Sequence, residues 1–310
     1  MTQVIEPVAV PAHQTVPSIE GTSDKVCPLC HEPATTAFIK RGHAICDCPR
    51  CRHRFASLHR EPRQHVADVY GDDYFTGGAA GYQDYLAEAK LLTAAGRRYA
   101  RRLARHTRPG RMLDVGAAAG FLLKGFVDNG WDGVGIEPND SVASHARNSL
   151  GLDVRTGMFE SFETDRPLDL VSIIQVMAHF VDPSAAVRHA RSLLAERGLC
   201  LVETWNVRSW TARLFGRSWH EYSPPSVLHW FSPDRLRDLF QEHGFVEVAR
   251  GRPQKWLDGQ HAKSLLRHAL PKNLPGRLIG GAAGIVPDRL PIPYPSEDLF
   301  WSLFRKEPVR

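Results

Sequence analysis

Between residues 112 and 204 the chain alternates short apolar runs with stretches of helical spacing, and this alternation restricts the fold more than any other feature. Strands are expected at 112–115, 133–137, 152–156, 169–175 and 199–204, with helices running to 129, over 141–150 and over 184–196. Gly130, Gly151 and Gly198 stand just past these helices and Asp140 and Asp182 just before theirs, as stop and start signals. Strands separated by single helices build a parallel sheet covered on both faces, a doubly wound α/β architecture. A further helix, capped by Ser232 with Pro233 in its first turn, is expected to reach His243, followed by strands at 245–249 and, after an interruption, at 299–304.

The first strand of the series runs into "LDVGAAAG" and then a helix. Such a turn sets backbone amides and small side chains against whatever lies at the carboxyl end of the sheet, with Gly116 permitting the turn and Gly120 close helix packing. The next strand closes on Glu137, where an acid about 20 residues on takes ribose hydroxyls in nucleotide-binding sheets. Two ligands compete for this pattern. A dinucleotide wants glycine at the middle position, where Ala118 would crowd a pyrophosphate, whereas Asp114, an acid before the turn, suits a ligand carrying an ammonium and a sulfonium. The pattern therefore favours S-adenosylmethionine.

Upstream, Cys27-Pro-Leu-Cys30 and Cys48-Pro-Arg-Cys51 lie seventeen residues apart, within the window for a zinc site. Each pair places two thiolates on one side of a knuckle, and Cys27, Cys30, Cys48 and Cys51 together complete a tetrahedral shell with no open position, hence a structural Zn2+. The segment "AFIKRGHAI" is expected to form a hairpin between the knuckles, with Phe55 as apolar cover. So small a module relies on its metal to fold. Cys46, His31, His43 and His53 are surplus ligand types, expected to be solvated bystanders.

With these motifs in view, the chain from about residue 26 resembles the class I S-adenosylmethionine-dependent methyltransferases, in the small-molecule branch that carries an N-terminal zinc ribbon. The likeness is carried by "LDVGAAAGFLL", "GVGIEPN", "GMFESF" and "DLVSIIQVMAHFVDP", and outside them by "YGDDYFTGGAAGYQDY" and "WHEYSPPSVLHWFSPDRLRDLFQEHGF". It implies a Rossmann-like seven-stranded sheet with the last strand antiparallel. It also implies that Asp114 and Gly116 lie at the methionine end of the ligand, that Glu137 holds the ribose, that Met158 and Phe159 flank the adenine, and that Gln175 lies beside the sulfonium, with Ala117, Gly120 and Pro138 among the cofactor-binding residues. Where many relatives have Glu-His after the fourth strand this chain has Ala178-His179, which leaves His179 as the polar group there.

The organisation that follows is a leader at 1–24, a ribbon at 25–57, a connector with a basic amphipathic helix at 58–107, and the Rossmann-like domain at 108–310 with an insertion at about 251–296. Tyr70, Tyr74, Phe75, Tyr82 and Tyr85 of the connector must pack on something, and the helix carries Arg97, Arg98, Arg101, Arg102 and Arg105 on one face. The net charge of +5 over 310 residues is too mild to argue for nucleic acid. No run approaches the roughly 18 apolar residues of a membrane span, and the N-terminus lacks the basic start and apolar core of a secretory signal. A cytoplasmic protein is expected.

Methyl transfer needs alignment, plus a base if the acceptor is a hydroxyl. The candidate bases are His179, His220, Tyr222 and His229, in loops expected at the carboxyl edge of the sheet. The expected acceptor is a small molecule, a sugar or specialised metabolite, with oxygen favoured over nitrogen or carbon. RNA methylation is the second reading, disfavoured because no stacking aromatics interleave the arginine face. A non-catalytic scaffold is the third, and the insertion is a candidate acceptor cover or homodimer surface.

Overall fold

The computed structural model describes residues 25–58, 62–71, 85–257, 292–294 and 296–308. Two sheets dominate. Near the N-terminus, β1 (Thr35–Lys40), β2 (His43–Asp47) and β3 (Arg54–Ala56) form an antiparallel meander. The β1–β2 hairpin turns at Arg41 and Gly42, both at positive φ, as "IKRGHA" foretold. Phe55 is buried in one apolar cluster with Cys27, Cys46 and Cys48.

After helix α1 (Pro62–Val69) and a 3-10 turn at Leu86–Glu88, the basic helix α2 (Ala89–Leu103) buries Tyr99, Ala100 and Leu103. It crosses α3 (Phe121–Val127) with Gly96 and Gly125 at the crossing, where a methyl group on either would collide with the other helix's backbone. This close approach brings Tyr99 down onto the large sheet.

That sheet contains β4 (Arg111–Val115), β5 (Asp132–Glu137), β6 (Asp153–Thr156), β7 (Leu168–Ile174) and β8 (Leu194–Trp205), all parallel, then β10 (Phe245–Gly251) and β13 (Leu299–Lys306). Their order is β10-β13-β8-β7-β4-β5-β6, with β13 antiparallel to both neighbours. Helices α4 (Asp140–Leu150), α5 (Pro183–Leu193) and α7 (Pro233–Glu242) complete the layers. Val187, Ala190, Leu236 and Phe240 pack on one face, and Leu103, Leu123, Phe126 and Ala146 on the other. The expected seven-stranded Rossmann-like sheet with an antiparallel last strand is the observed one.

Three local expectations change. Asn139, not Asp140, caps α4, its side chain accepting from the Val142 amide at 3.1 Å. Gly198 is not a helix stop: α5 ends at Leu193 and β8 begins at once, because Leu194 pairs with Leu168 before a bulge resets the register to Leu170 and Leu199. Cys46 and His53 are not solvated but fully buried. Asp182 and Ser232 cap α5 and α7 as expected.

An element without any period in the sequence joins the two sheets. β9 (His229–Trp230), which follows the short helix α6 (Trp210–Phe215), pairs antiparallel with β3 and becomes the fourth strand of the N-terminal sheet. Of the insertion, β11 (Lys255–Leu257) and β12 (Ile292–Tyr294) form an antiparallel pair. The stretch 258–291 between them, the leader, and Tyr74, Phe75 and Tyr82 lie outside the described residues.

Candidate active site

The carboxyl ends of the parallel neighbours β4, β5 and β7 come together at one edge of the sheet, the crevice position of an open α/β sheet. β4 leaves the sheet through Gly116, whose φ is +67° and where a Cβ would sit 2.5 Å from Val176 Cγ2. Two residues on, Ala118 is also left-handed, at +46°, a conformation that costs a non-glycine residue energy and persists only when its surroundings hold it. What holds it is Glu137: the Ala118 amide donates to Oε2 at 3.0 Å, and the Asn139 amide donates to Oε1, also at 3.0 Å. One carboxylate thereby ties the turn after β4 to the turn after β5. Burial pushes Glu137 up to about 7 although both amides oppose the shift.

Asp114 lies beside it on β4 and accepts a 2.5 Å hydrogen bond from Ser172 Oγ of β7, its partner in register. Burial pushes this acid up to about 7 as well; the serine opposes and the charge of Glu137 adds. Two buried acids with no ion pair to a basic residue among the described residues give this sheet edge a preference for cationic and hydroxylic groups. Ala117, Gly120 and Pro138 lie in the same two turns. Met158, half-buried, follows β6 next to Gly157, whose amide donates to the Glu137 carbonyl at 2.9 Å. Phe159 turns into the core against Phe180 and His189.

Gln175 closes β7 at φ +59°. Its amide N–H donates to the Glu203 carbonyl and its Nε2 to Glu203 Oε1, each at 2.8 Å, while the Tyr99 hydroxyl donates to Glu203 Oε2. Beyond it, His179 is held by the Ser226 carbonyl, which accepts from Nδ1 at 2.6 Å and from the Tyr70 hydroxyl at 2.7 Å. Trp205 meets the imidazole edge-on, 5.8 Å between ring centres. Burial lowers the pKa of His179, opposed by the Ser226 and Gln175 carbonyls. The proton on Nδ1 leaves Nε2 with the lone pair.

Residues 85–249, more than half of the chain, match the family model described as a methyltransferase domain. The chain belongs to the methyltransferase domain family. Curated relatives include ubiquinone biosynthesis O-methyltransferases of Rhodopseudomonas palustris, 31% identical over 39% of this chain and 47% of the relative, and of Cereibacter sphaeroides, 31% identical over 45% and 62%. The chain thus spans about half the length of the curated relatives it matches. Among solved structures, the 1,6-didemethyltoxoflavin-N1-methyltransferase of Burkholderia thailandensis superposes with a TM-score of 0.51 at 14% identity, over 89% of this chain and all of that one. That likeness shows the class I methyltransferase fold.

Placed in this methyltransferase domain, the other base candidates have surroundings different from those of His179, although the His229 amide donates to the neighbouring Ala178 carbonyl at 3.1 Å. His220 is exposed and pairs with Glu221 at 2.9 Å. With Asp298, these two make a second group of ligand-type side chains, but Asp298 already accepts from the Trp219 indole at 3.3 Å. Tyr222 is buried against Phe38, Trp219 and Trp230, and its hydroxyl accepts from Arg54 Nη1 at 2.5 Å. His229 is buried on β9, 3.0 Å from His53 Nε2, and burial lowers it to about 4. Both therefore belong to the contact with the N-terminal sheet.

The four knuckle cysteines converge. Their sulfurs all lie within 4.8 Å of one another, the shortest separations being 3.5 Å for Cys27–Cys51 and 3.4 Å for Cys30–Cys48. A tetrahedral zinc with bonds of about 2.3 Å has sulfur–sulfur edges of roughly 3.8 Å, so the cluster could hold one such ion. Sequence reasoning gave Tyr70 only as an aromatic that must pack, and missed Ser172, Tyr99 and Glu203. Only Glu203 left a signal, as a charge inside the apolar run "LCLVETW".

Proposed function

We propose that this protein transfers a methyl group from S-adenosylmethionine to a hydroxyl of a small-molecule acceptor, a sugar or specialised metabolite, with His179 as the base. The observation that carries the reading is His179 itself, at the same sheet edge as Asp114 and Glu137, with its Nδ1 proton committed to Ser226. Relatives named O-methyltransferases support a hydroxyl acceptor. Bound S-adenosylmethionine would supply an electrophilic methyl group on a cationic sulfur. Asp114 would face its ammonium side and Glu137 its ribose hydroxyls, while Gly116 keeps the turn open to it. His179 would take the acceptor's hydroxyl proton on Nε2 as the oxygen forms its bond to the methyl carbon.

Cys27, Cys30, Cys48 and Cys51 would hold one zinc in a closed shell, which makes the ion structural. The RNA reading has less support, because the α2 arginines are engaged within the chain. Arg97 pairs with Asp128, Arg98 donates to the Gln254 carbonyl, and Arg102 lies over Trp301. No helix among the described residues is long and apolar enough to cross a membrane, and a cytoplasmic location is part of the proposal.

The test is His179→Ala assayed for S-adenosylhomocysteine release against a panel of phenolic and sugar hydroxyls. Turnover should fall roughly 10²–10⁴-fold with cofactor affinity unchanged. Because burial lowers the histidine pKa, the wild-type rate at saturating cofactor should reach its half-maximum below the ordinary histidine pKa of about 6.5. Full turnover in the variant would remove His179 from the mechanism.

A further inference from the structure

We propose that Glu203 and Tyr99 are positioning residues that lock the Gln175 amide with its carbonyl oxygen toward the sulfonium, biasing the site for the charged methyl donor over its neutral product. The inference rests on the S-adenosylmethionine reading above and concerns what discriminates the two forms of that ligand.

Gln175 sits where glutamine seldom does, at φ +59°, and needs two bonds to stay there. Both come from Glu203, one from its main chain and one from its side chain. A carboxylate only accepts hydrogen bonds, so the Gln175 amide must turn its NH2 toward Glu203 Oε1. Turning it over would set two acceptor oxygens against each other. The second carboxylate oxygen is occupied by the Tyr99 hydroxyl, and burial, with the nearby Glu203 charge, raises the tyrosine pKa far above its ordinary value, so Tyr99 keeps the proton it donates. Glu203 is 2% exposed and makes no ion pair among the described residues, so its orientation is fixed by these two neutral donors.

With Nε2 turned to Glu203, the carbonyl oxygen of the Gln175 amide is turned away from that carboxylate. In the proposed arrangement that oxygen lies at the cofactor end of β7, where Val176, the next residue, abuts Gly116 of the cofactor turn. A carbonyl dipole aimed at a sulfonium stabilises the positive charge of the donor and gains nothing from the thioether left after transfer. The lock therefore spans three elements, from α2 through β8 to the end of β7, and its effect is selectivity between two ligands of nearly equal shape.

Calorimetric titration of both S-adenosylmethionine and S-adenosylhomocysteine into wild type, Tyr99→Phe and Glu203→Gln tests this. Glu203→Gln supplies a side-chain NH2 that lets the Gln175 amide turn over. It should weaken donor binding roughly tenfold relative to product, the order of one hydrogen bond to a charged group, and Tyr99→Phe should do so by a smaller factor. Adding Gln175→Glu to Glu203→Gln should restore the donor preference, because a carboxylate presents oxygen in either orientation. Equal loss for both ligands, or no change in their ratio in Tyr99→Phe, would overturn the lock and leave Glu203 a packing residue. Failure of the wild type to bind either ligand would instead overturn the function proposed above.

Discussion

The crevice and the seam between the two sheets both bury polar groups, but for opposite ends. In the crevice, Asp114 and Glu137 are acids pushed up to about 7 and given only partial company, a serine for one and two amides for the other. Their remaining capacity is a demand for a ligand. At the seam, the partly exposed Arg54 is clasped by both oxygens of Asp47 at 2.7 Å and reaches the buried Tyr222 hydroxyl, so its charge is matched within the chain. Buried acids met only by neutral partners mark a site; a partly exposed charge matched within the chain marks an adhesive surface.

The comparison predicts that damage to the two regions separates. The largest effect is expected from Cys48→Ser: loss of one of the four cysteines should abolish binding of the proposed zinc and unfold the N-terminal sheet, since metal binding and folding are one equilibrium in so small a module. Zinc stoichiometry should fall from one toward none, with a lower melting transition. Unchanged stability would show that the seam holds the ribbon without metal.

An intermediate effect concerns pH at the crevice. Asp114 and Glu137 have raised pKa values in the free protein, and a cationic, hydroxyl-bearing ligand favours their ionised forms. Binding must then expel protons below about pH 7, and affinity for S-adenosylmethionine should rise through that value and level off above it, by roughly tenfold per group between about pH 6 and pH 8. Titrations in buffers of different ionisation enthalpy would read the released protons directly. A flat profile would mean that the acids stay protonated in the complex.

The smallest effect is expected from Tyr222→Phe. It removes one hydrogen bond from Arg54 and keeps the ring packing, so stability should drop by about 1 kcal/mol in chemical denaturation with no change in cofactor affinity. Any loss of affinity would join the two regions that the comparison holds apart.

What the sequence disclosed divides along the same line. The crevice is assembled from local signals: a strand end, a glycine turn and an acid one strand later, each recognisable because its geometry is set within a few residues. The caps at Asp182 and Ser232 were legible for that reason, and the shift from Asp140 to Asn139 is one residue of the same code. The seam was not legible. β9 has two residues and therefore no alternation to detect, and His229 read as a possible base because nothing near it in the chain announces His53, 176 positions away. Glu203 was missed for a related reason: its meaning comes from Tyr99 and Gln175, on two other elements.

The pairing of β3 with β9 also sets an order of events for a newly made chain. The two knuckles and their hairpin are close in sequence and can gather around a metal as soon as they leave the ribosome. Their fourth strand does not yet exist at that point. Docking must wait until residue 230 has been synthesised and the central sheet has brought it into reach, and so distant a contact is among the slow steps of folding. In the interval the open edge of β3 offers unpaired backbone to any passing strand, and a nascent chain arrested short of β9 would be prone to stick to others like it.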